Sequence, residues 1–167
     1  DRRAQRPVPV RERQEVQEVL RQTMKRGIFI TFEGIDGCGK STQLTRAEAR
    51  LRQEGVPLVV TREPGGARVS ERIRELVMAA EFTEMSVPCE VLLYLAARAQ
   101  HVAELIRPSL DEGKVVLCDR YQEATFAYQG FGRGVALEKL HALNSYATGG
   151  LEPDLTFVFD VPVEEAR

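Results

Sequence analysis

Short apolar runs alternate with amphipathic stretches along the chain from Gly27 onward. The amphipathic stretches repeat apolar residues every three or four positions, which predicts helices at 42–52, 69–77, 88–107 and 137–147. The apolar runs are rich in β-branched and aromatic residues and predict strands at 28–32, 57–61, 115–118 and 155–159. Strands that are apolar throughout and separated by helices indicate a parallel sheet covered on both faces. The predicted fold class is therefore α/β, a three-layer α/β/α sandwich.

The start of the chain lacks this alternation, and we interpret residues 1–26 as an N-terminal extension that is flexible or partly helical. Val16, Val19 and Leu20 recur at helical spacing, but no strand-like run is present. We assign residues 27–167 to one domain, because a chain of 167 residues with 43% hydrophobic residues has the size and composition of a single globular unit.

Charge and cysteine content narrow the function classes. The chain carries 23 basic and 25 acidic residues, a net charge of −2, which argues against nonspecific binding to nucleic acid. Its apolar runs all fall short of the roughly 20 residues that span a bilayer, so we expect no membrane partner. Cys38, Cys89 and Cys118 have neither metal-ligand nor disulfide-framework spacing. We therefore expect a reduced protein of the cytoplasm.

A glycine-rich turn between the first strand and the first helix carries the strongest chemical signal. Its sequence from Gly34 to Ser41 matches G-x-x-x-x-G-K-[ST] in the strand-to-helix context that phosphate binding requires. The glycines let successive backbone N–H groups point at one polyphosphate, and the helix adds the positive end of its dipole. Lys40 would bridge the β- and γ-phosphates, and the Ser41 hydroxyl would bind Mg²⁺. We predict that a nucleoside triphosphate is bound by Gly34, Ile35, Asp36, Gly37, Cys38, Gly39, Lys40, Ser41 and Thr42.

Charged side chains follow the predicted strands at the edge where open α/β sheets bind ligands. Arg62 follows the second strand, and Asp119 and Arg120 follow the third. An arginine fork pairs two phosphate oxygens at once, so these arginines predict an anionic acceptor beside the triphosphate. Asp119 is a candidate carboxylate on the Mg²⁺ side. Asp36 lies inside the phosphate loop, where its charge repels phosphate, so we expect it to accept a hydrogen bond from a sugar hydroxyl.

A polar stripe on the long predicted helix suggests a pocket for a planar base. Tyr94 and Arg98 are four residues apart and share a helix face, so the ring would stack on the base while the guanidinium bonds its edge. A solvated helix face is the alternative explanation of this stripe taken alone. His101, three residues further on, has no metal-ligand spacing, and we interpret it as a structural or surface residue.

These residues together resemble the thymidylate kinase family, the P-loop kinases that phosphorylate dTMP. The resemblance covers 27–167 and rests on residues 32–43, 61–66, 119–121 with 127–130, and 153–157 with 159–161. It implies a P-loop NTPase fold, direct in-line transfer of the γ-phosphoryl group of ATP to dTMP, Mg²⁺ as cofactor and a homodimer. The family continues after the fourth strand with a lid, a last helix and a fifth strand, so we expect this chain to bind phosphates and dTMP better than it turns over.

The resemblance also implies a role for each candidate residue. Tyr94 would pack on the thymine ring and Arg98 would bind its O4 edge. Arg62 and Arg120 would hold the dTMP phosphate, and Asp36 would approach the 3′-hydroxyl. The base and sugar pocket would be lined by Thr125, Tyr128 and Gln129. The catalytic residues would be Asp36, Lys40 and Arg120.

Three positions depart from the family pattern, and alternatives stay open. Ala67 and Ala124 stand where the family often has hydroxyl side chains, and each loses a hydrogen bond worth about 1 kcal/mol. Gly37 leaves the loop without the basic residue that one branch of the family uses in catalysis. The alternatives are a kinase for another nucleoside monophosphate, a non-catalytic nucleotide-binding module and, with weak support from the arginine-rich start, a nucleic-acid binder.

Overall fold

The computed structural model describes residues 26–166, and these residues form a parallel sheet flanked by helices. The extension predicted at 1–26 lies outside the described residues except for Arg26. The Arg26 guanidinium pairs with the Asp154 carboxylate at 2.5 Å. The division of the chain at residue 27 therefore stays a prediction.

Four strands form the sheet in the order β2-β3-β1-β4, and all neighbours pair in parallel. They are β1 (Ile28–Gly34), β2 (Leu58–Arg62), β3 (Val115–Asp119) and β4 (Leu155–Phe159). The strands predicted from the sequence agree with these bounds to within two residues. β1 lies between β3 and β4, so the chain crosses to both sides of it, and this change of direction leaves a crevice outside the carboxyl ends. The predicted α/β class is confirmed.

Helices connect the strands. They are α1 (Lys40–Gln53), α2 (Arg68–Val77), α3 (Val87–His101), α4 (Arg107–Asp111), α5 (Gln122–Thr125) and α6 (Leu137–Thr148). Two π-helical segments continue α3 and α5, at Val102–Ile106 and Phe126–Gly132, and a short 3₁₀ turn spans Val163–Glu165. Within residues 26–166, no helix has both the length and the apolar character needed to span a bilayer.

Successive strand residues pack on opposite faces of the sheet, because side chains alternate along an extended backbone. On one face, Phe29 and Val116 pack in a buried cluster with Ile106 of the first π-helical segment. On the other face, Phe32 packs in a separate cluster with Leu44 of α1. The two clusters place helices on both sides of the sheet, which confirms the predicted three layers.

The long helical path does not end before Pro108, contrary to the sequence prediction. α3 runs into the π-helical segment Val102–Ile106, and α4 continues the path to Asp111. Pro108 stands in the first turn of α4. The π-helical segment directly before Pro108 changes the backbone hydrogen-bond pattern at the point where the proline lacks an N–H, so the path stays helical past it.

The sequence does not predict the helical segment that follows β3. α5 and the π-helical Phe126–Gly132 lie where the sequence indicated only residues beyond a strand end. This stretch contains Gly130 and lacks an apolar repeat. A Cβ at Gly130 would stand 2.7 Å from a methyl carbon of Leu137, so close packing against α6 holds the segment in place.

The strand register brings three separate segments to one edge of the sheet. Asp119 at the end of β3 lies opposite Phe32 of β1 and Arg62 of β2. The phosphate loop leaves β1 directly after this point. The loop and both strand-end arginines therefore meet because the sheet is parallel and β3 is central between β1 and β2.

Leu95→Ala should lower the free energy of unfolding by about 2–5 kcal/mol, because Leu95 is 4% exposed and packs with Val91 and Leu140. Leu92→Ala is the matched control: Leu92 lies on the same helix at 56% exposure, and its loss should cost about 0.5 kcal/mol or less. Urea unfolding of both variants measures the difference. Equal losses would contradict the packing of α3 against α6.

Candidate functional site

A cavity of about 830 Å³ lies at the carboxyl edge of the sheet. Most residues predicted from the sequence meet there, and only Gly34, Ile35 and Cys38 among them do not line it. The predicted residues that line it are Asp36, Gly37, Gly39, Lys40, Ser41, Thr42, Arg62, Tyr94, Arg98, Asp119, Arg120, Thr125, Tyr128 and Gln129. Their common location supports one site, while the role of each residue stays a prediction.

The phosphate loop has the backbone shape that its glycines predict. Gly34, Gly37 and Gly39 have φ angles of 142°, 79° and 94°, which residues with side chains rarely adopt. A Cβ at Gly34 would also stand 2.8 Å from Cys38 Sγ. α1 begins at Lys40 with no side-chain cap, so its first turn offers backbone N–H donors to an anion.

The Lys40 ammonium folds back onto this loop. Its Nζ donates to the carbonyl oxygen of Gly34 at 2.9 Å and to that of Ile35 at 2.7 Å, and the residue is 6% exposed. An ammonium group needs such partners when buried, because its desolvation is costly. A phosphate group that reached Lys40 would replace neutral carbonyl acceptors with charged ones, which form stronger hydrogen bonds.

Ser41 and Asp119 form an oxygen pair suited to a divalent cation. Ser41 Oγ donates to Asp119 Oδ2 at 3.3 Å, and Asp119 Oδ1 is buried without a hydrogen-bond partner among the described residues. An unpartnered buried carboxylate oxygen is costly unless a cation or water completes it. A hydroxyl and a carboxylate fit Mg²⁺, which proteins commonly bind through one or two carboxylates together with substrate phosphates. No group of three or more His, Cys, Asp or Glu side chains within 26–166 is arranged to hold a metal ion.

Arg62 and Arg120 both line the cavity, and each is engaged by a carboxylate. Arg62 Nη2 donates to Glu71 Oε2 at 2.9 Å. Arg120 Nη1 donates to the Gly34 carbonyl at 3.0 Å, and its Nη2 pairs with Asp36. The Asp36 side chain is 91% exposed, so its ion pair is screened by solvent and open to exchange with a ligand anion.

Arg98 is a buried cation at 3% exposure. Its Nε donates to Glu63 Oε2 at 2.6 Å, and its Nη1 donates to Asn144 Oδ1 at 2.8 Å. Its Nη2 donates to the Tyr121 carbonyl at 2.8 Å and to Thr125 Oγ1 at 3.0 Å. A guanidinium has five N–H donors, so these bonds fix its orientation and leave one donor for a ligand.

Glu63 balances the charge of Arg98. Its Oε1 lies 3.0 Å from His101 Nδ1, and His101 Nε2 lies 2.7 Å from Thr61 Oγ1. Burial raises the pKa of Glu63, but Arg98 and His101 together lower it by more than burial raises it, so the pKa lies below its ordinary value. The sequence left His101 as a structural or surface residue; it is fully buried in this cluster, so the surface alternative is wrong.

Two tyrosines and an amide line the rest of the cavity. Tyr94 lies one helical turn before Arg98 and is partly buried, and this burial raises its pKa. The Arg120 guanidinium lies over the Tyr128 ring, 5.7 Å from its centroid. Gln129 Nε2 donates to Glu90 Oε1 at 2.7 Å, which holds the amide against α3. The wall thus combines aromatic faces with fixed polar groups.

Glu33, the last residue but one of β1, is a buried carboxyl group to which the sequence analysis assigned no role. It is 4% exposed, and its Oε1 accepts the Tyr121 N–H at 2.6 Å. Burial and the neighbouring Glu123 carboxyl raise the pKa of Glu33 to about 8, although the Tyr121 N–H and Arg120 act in the opposite direction. The group therefore holds a proton at neutral pH. An acidic residue inside an apolar strand was the one sequence signal for it.

Sequence reasoning also assigned no role to three other site residues. Glu63 follows Arg62 directly, and Glu90 precedes Tyr94 by four residues on the same helix face, so both carried a local signal. Asn144 carried none, because it contacts Arg98 from a helix 46 residues away in the sequence.

Comparison with known proteins gives a consistent family. The family model described as "Thymidylate kinase" matches residues 32–167. Thymidylate kinase of Pseudomonas entomophila is 56% identical over 138 residues, 83% of this chain and 66% of that protein. Thymidylate kinase of Exiguobacterium sibiricum is 52% identical over 141 residues, 84% of this chain and 66% of that protein. The chain thus spans just under two thirds of the length of these relatives.

A solved structure supports the fold. The crystal structure of thymidylate kinase from Ehrlichia chaffeensis matches with a TM-score of 0.73 and 40% identity, over 80% of this chain and 75% of that chain. This match confirms the predicted P-loop NTPase form of the α/β fold.

The raised pKa of Glu33 should make the chain less stable as the pH rises. Above the ordinary carboxyl pKa of 4.5, the unfolded chain loses the Glu33 proton that the native state keeps. The contribution of the protonated Glu33 to the free energy of unfolding is therefore fully present below about 4.5 and is lost as the pH rises to about 8. Glu33→Gln, which has no proton to lose, should flatten the decline. Urea unfolding of both proteins between about pH 5 and about pH 8 measures it.

The ionised Glu63 does not contribute to the pH dependence of unfolding in this range. Its pKa is lowered, so its contribution is present above the ordinary carboxyl pKa and lost only as the pH falls through its lower, native value. Parallel pH dependence in the parent chain and in Glu33→Gln would contradict the protonated state of Glu33.

Proposed function

Because the chain belongs to the thymidylate kinase family, we propose that this protein transfers the γ-phosphoryl group of ATP to dTMP. The observation that carries the proposal is the shared cavity at the strand ends. That cavity joins a phosphate loop, two strand-end arginines and a wall of aromatic and polar side chains that includes Tyr94 and Arg98. The whole reaction needs these three parts within reach of one another, since phosphoryl transfer depends on positioning and charge stabilisation.

The phosphate loop would hold ATP. Backbone N–H groups from Gly37 to Thr42 would cradle the phosphates, and Lys40 would exchange its carbonyl partners for β- and γ-phosphate oxygens. Ser41 and Asp119 would hold Mg²⁺, which the unpartnered Asp119 Oδ1 supports. When bound, Mg²⁺ would neutralise part of the triphosphate charge.

The strand-end arginines would hold the phosphate of dTMP. Both lie in the cavity wall beside the loop, so the acceptor phosphate would lie next to the γ-phosphoryl group of ATP, as the in-line transfer implied by the family resemblance requires. Arg120 would stabilise charge that develops during transfer. Asp36, which already engages Arg120, would accept a hydrogen bond from the 3′-hydroxyl. We therefore assign catalysis to Asp36, Lys40 and Arg120.

The buried Arg98 supports thymine as the base. Its remaining N–H donor would meet the O4 acceptor of thymine, whereas cytosine presents an amino donor at the same position and would be repelled. Tyr94 would pack on the ring, and Thr125, Tyr128 and Gln129 would line the base and sugar. Because Glu63 already neutralises Arg98, the neutral base adds no charge to the buried site.

Assays of ADP formation with dTMP, dUMP, dCMP and dGMP test the activity. dTMP should have the highest kcat/KM. Lys40→Met should lower turnover by at least about 100-fold, because the positive charge that would contact the transferring phosphoryl group is lost. Lys139→Met on the exposed surface of α6 is the control and should change nothing. No preference for dTMP would contradict the substrate. Binding of both nucleotides without turnover would instead support a nucleotide-binding module.

Arg98→Met in a Glu63→Gln background tests the thymine contact without leaving a buried carboxylate unpaired. The KM for dTMP should rise at least about tenfold, because the site loses its donor to O4, while the KM for ATP stays unchanged. The parent chain is the reference, and the KM for ATP of the same double variant is the internal control, since the double change removes both charges of the buried pair together. An unchanged KM for dTMP would favour a kinase for another nucleoside monophosphate.

We also propose a homodimer that acts in the cytoplasm. The resemblance to the family implies the dimer, and exposed apolar side chains on α2, namely Val69 and Leu76, support it. The free cysteines Cys38, Cys89 and Cys118 fit a reducing compartment. Light scattering during size-exclusion chromatography measures the oligomeric state.

A further inference from the structure

Arg120 has an unusual backbone conformation. Its φ is 70°, and among residues 26–166 it is the sole non-glycine residue with a positive φ. Side-chain-bearing residues adopt this left-handed region rarely, and they keep it only where the surroundings hold it in place. The groups that hold Arg120 therefore control where its guanidinium points.

The peptide groups on both sides of Arg120 are all hydrogen-bonded. The bonds run from Arg120 N–H to Phe32 O at 3.0 Å, from Glu63 N–H to Asp119 O at 2.9 Å, from Cys118 Sγ to Arg120 O at 3.1 Å, and from Tyr121 N–H to Glu33 Oε1 at 2.6 Å. The last bond is the shortest and has a carboxyl acceptor. It fixes the orientation of the peptide group that joins Arg120 to Tyr121.

We propose that Glu33 is a positioning residue that holds Arg120 in its left-handed conformation and so aims the guanidinium across the mouth of the phosphate loop. The contacts close a ring: Glu33 binds the Tyr121 N–H, and Arg120 Nη1 returns to the carbonyl of Gly34, the residue after Glu33. The proposal rests on the proposed function in one respect, the role of Arg120 at the dTMP phosphate.

The surroundings of Glu33 explain how a carboxyl group can sit there. α5 supplies Glu123, whose Oε2 is buried without a hydrogen-bond partner in the described chain. The end of β3 supplies Arg120 and the Cys118 thiol, whose pKa is raised by burial and in smaller part by Glu33. α1 supplies Lys40, which binds the next carbonyl along β1.

From the side of β4, Asp154 binds Phe29 N–H near the start of β1. Burial, and in smaller part the neighbouring Glu123 carboxyl, raises the pKa of Glu33. Glu33 thus positions the turn in its neutral form, and glutamine, which is neutral and keeps a carbonyl oxygen, should replace it.

Binding of dTMP and of thymidine to three variants tests the proposal by calorimetry. Glu33→Leu removes the acceptor and should weaken dTMP binding at least about tenfold while leaving thymidine binding unchanged, because thymidine lacks the phosphate that Arg120 would hold. Glu33→Gln should bind dTMP like the parent chain. Thr31→Val is the matched control: Thr31 is equally buried on β1 and loses a hydrogen bond to Thr156, but does not touch the Arg120 turn.

A second readout needs no ligand. Hydrogen exchange of the Tyr121 amide should be slow in the parent chain and in Glu33→Gln and faster in Glu33→Leu, relative to amides elsewhere in the sheet. If Glu33→Leu does not fold, Glu33→Asp replaces it, since a side chain one methylene shorter withdraws the acceptor.

The outcomes separate the two proposals. Failure of the parent chain to bind dTMP would overturn the proposed function, and amide exchange would then decide the role of Glu33 alone. Unchanged exchange in Glu33→Leu, or equal losses of dTMP and thymidine binding, would overturn the positioning role.

Discussion

The parallel pairing of β1 with β3 is the constraint on which the rest of the site depends. Its register sets Phe32 opposite Asp119, so the phosphate loop leaves one strand beside the residues that leave the other. The contacts between Ser41 and Asp119 and between Arg120 and Gly34 follow from that register. A slip by one residue would turn one strand over relative to the other and bury the wrong side chains, so the core that stabilises the sheet also protects the geometry of the site.

Two buried acidic groups near this edge meet the cost of burial in opposite ways. Glu63 stays ionised because Arg98 and His101 surround it with opposite charge and hydrogen bonds. Burial and the neighbouring Glu123 raise the pKa of Glu33, and the Tyr121 N–H and Arg120 offset this only in part, so Glu33 is neutral. Both solutions avoid an unpaired charge in a place of low polarity. They also hold different groups in place, since Glu63 binds the Arg98 guanidinium and Glu33 accepts the N–H of Tyr121, the residue after Arg120.

The cationic groups of the site are held by weak, replaceable partners. Arg120 pairs with an almost fully exposed Asp36, Arg62 with Glu71, and Lys40 with backbone carbonyls. Exposed ion pairs contribute little to stability, so a doubly charged phosphate can compete for the same donors. Arg98 is different, because four hydrogen bonds hold it in the interior. The cavity thus combines one rigidly held guanidinium with cations whose partners can be exchanged; in the proposed function the first would recognise the base and the others would bind phosphates.

The phosphate loop, the four strands and the strand-end arginines were predictable from the sequence alone. These features depend on residue types within a few positions of one another: glycine torsions, continuous apolar runs, and the place where a strand ends. The helical path through Pro108 and the π-helical segment after α5 were not predictable in this way, because packing against α6 and the sheet determines them. The partners of Arg98 lie 35 and 46 residues away in the sequence, at Glu63 and Asn144. The tertiary structure likewise determines that Glu33 keeps its proton, since Glu33 is buried beside Glu123 only when α5 packs over β1.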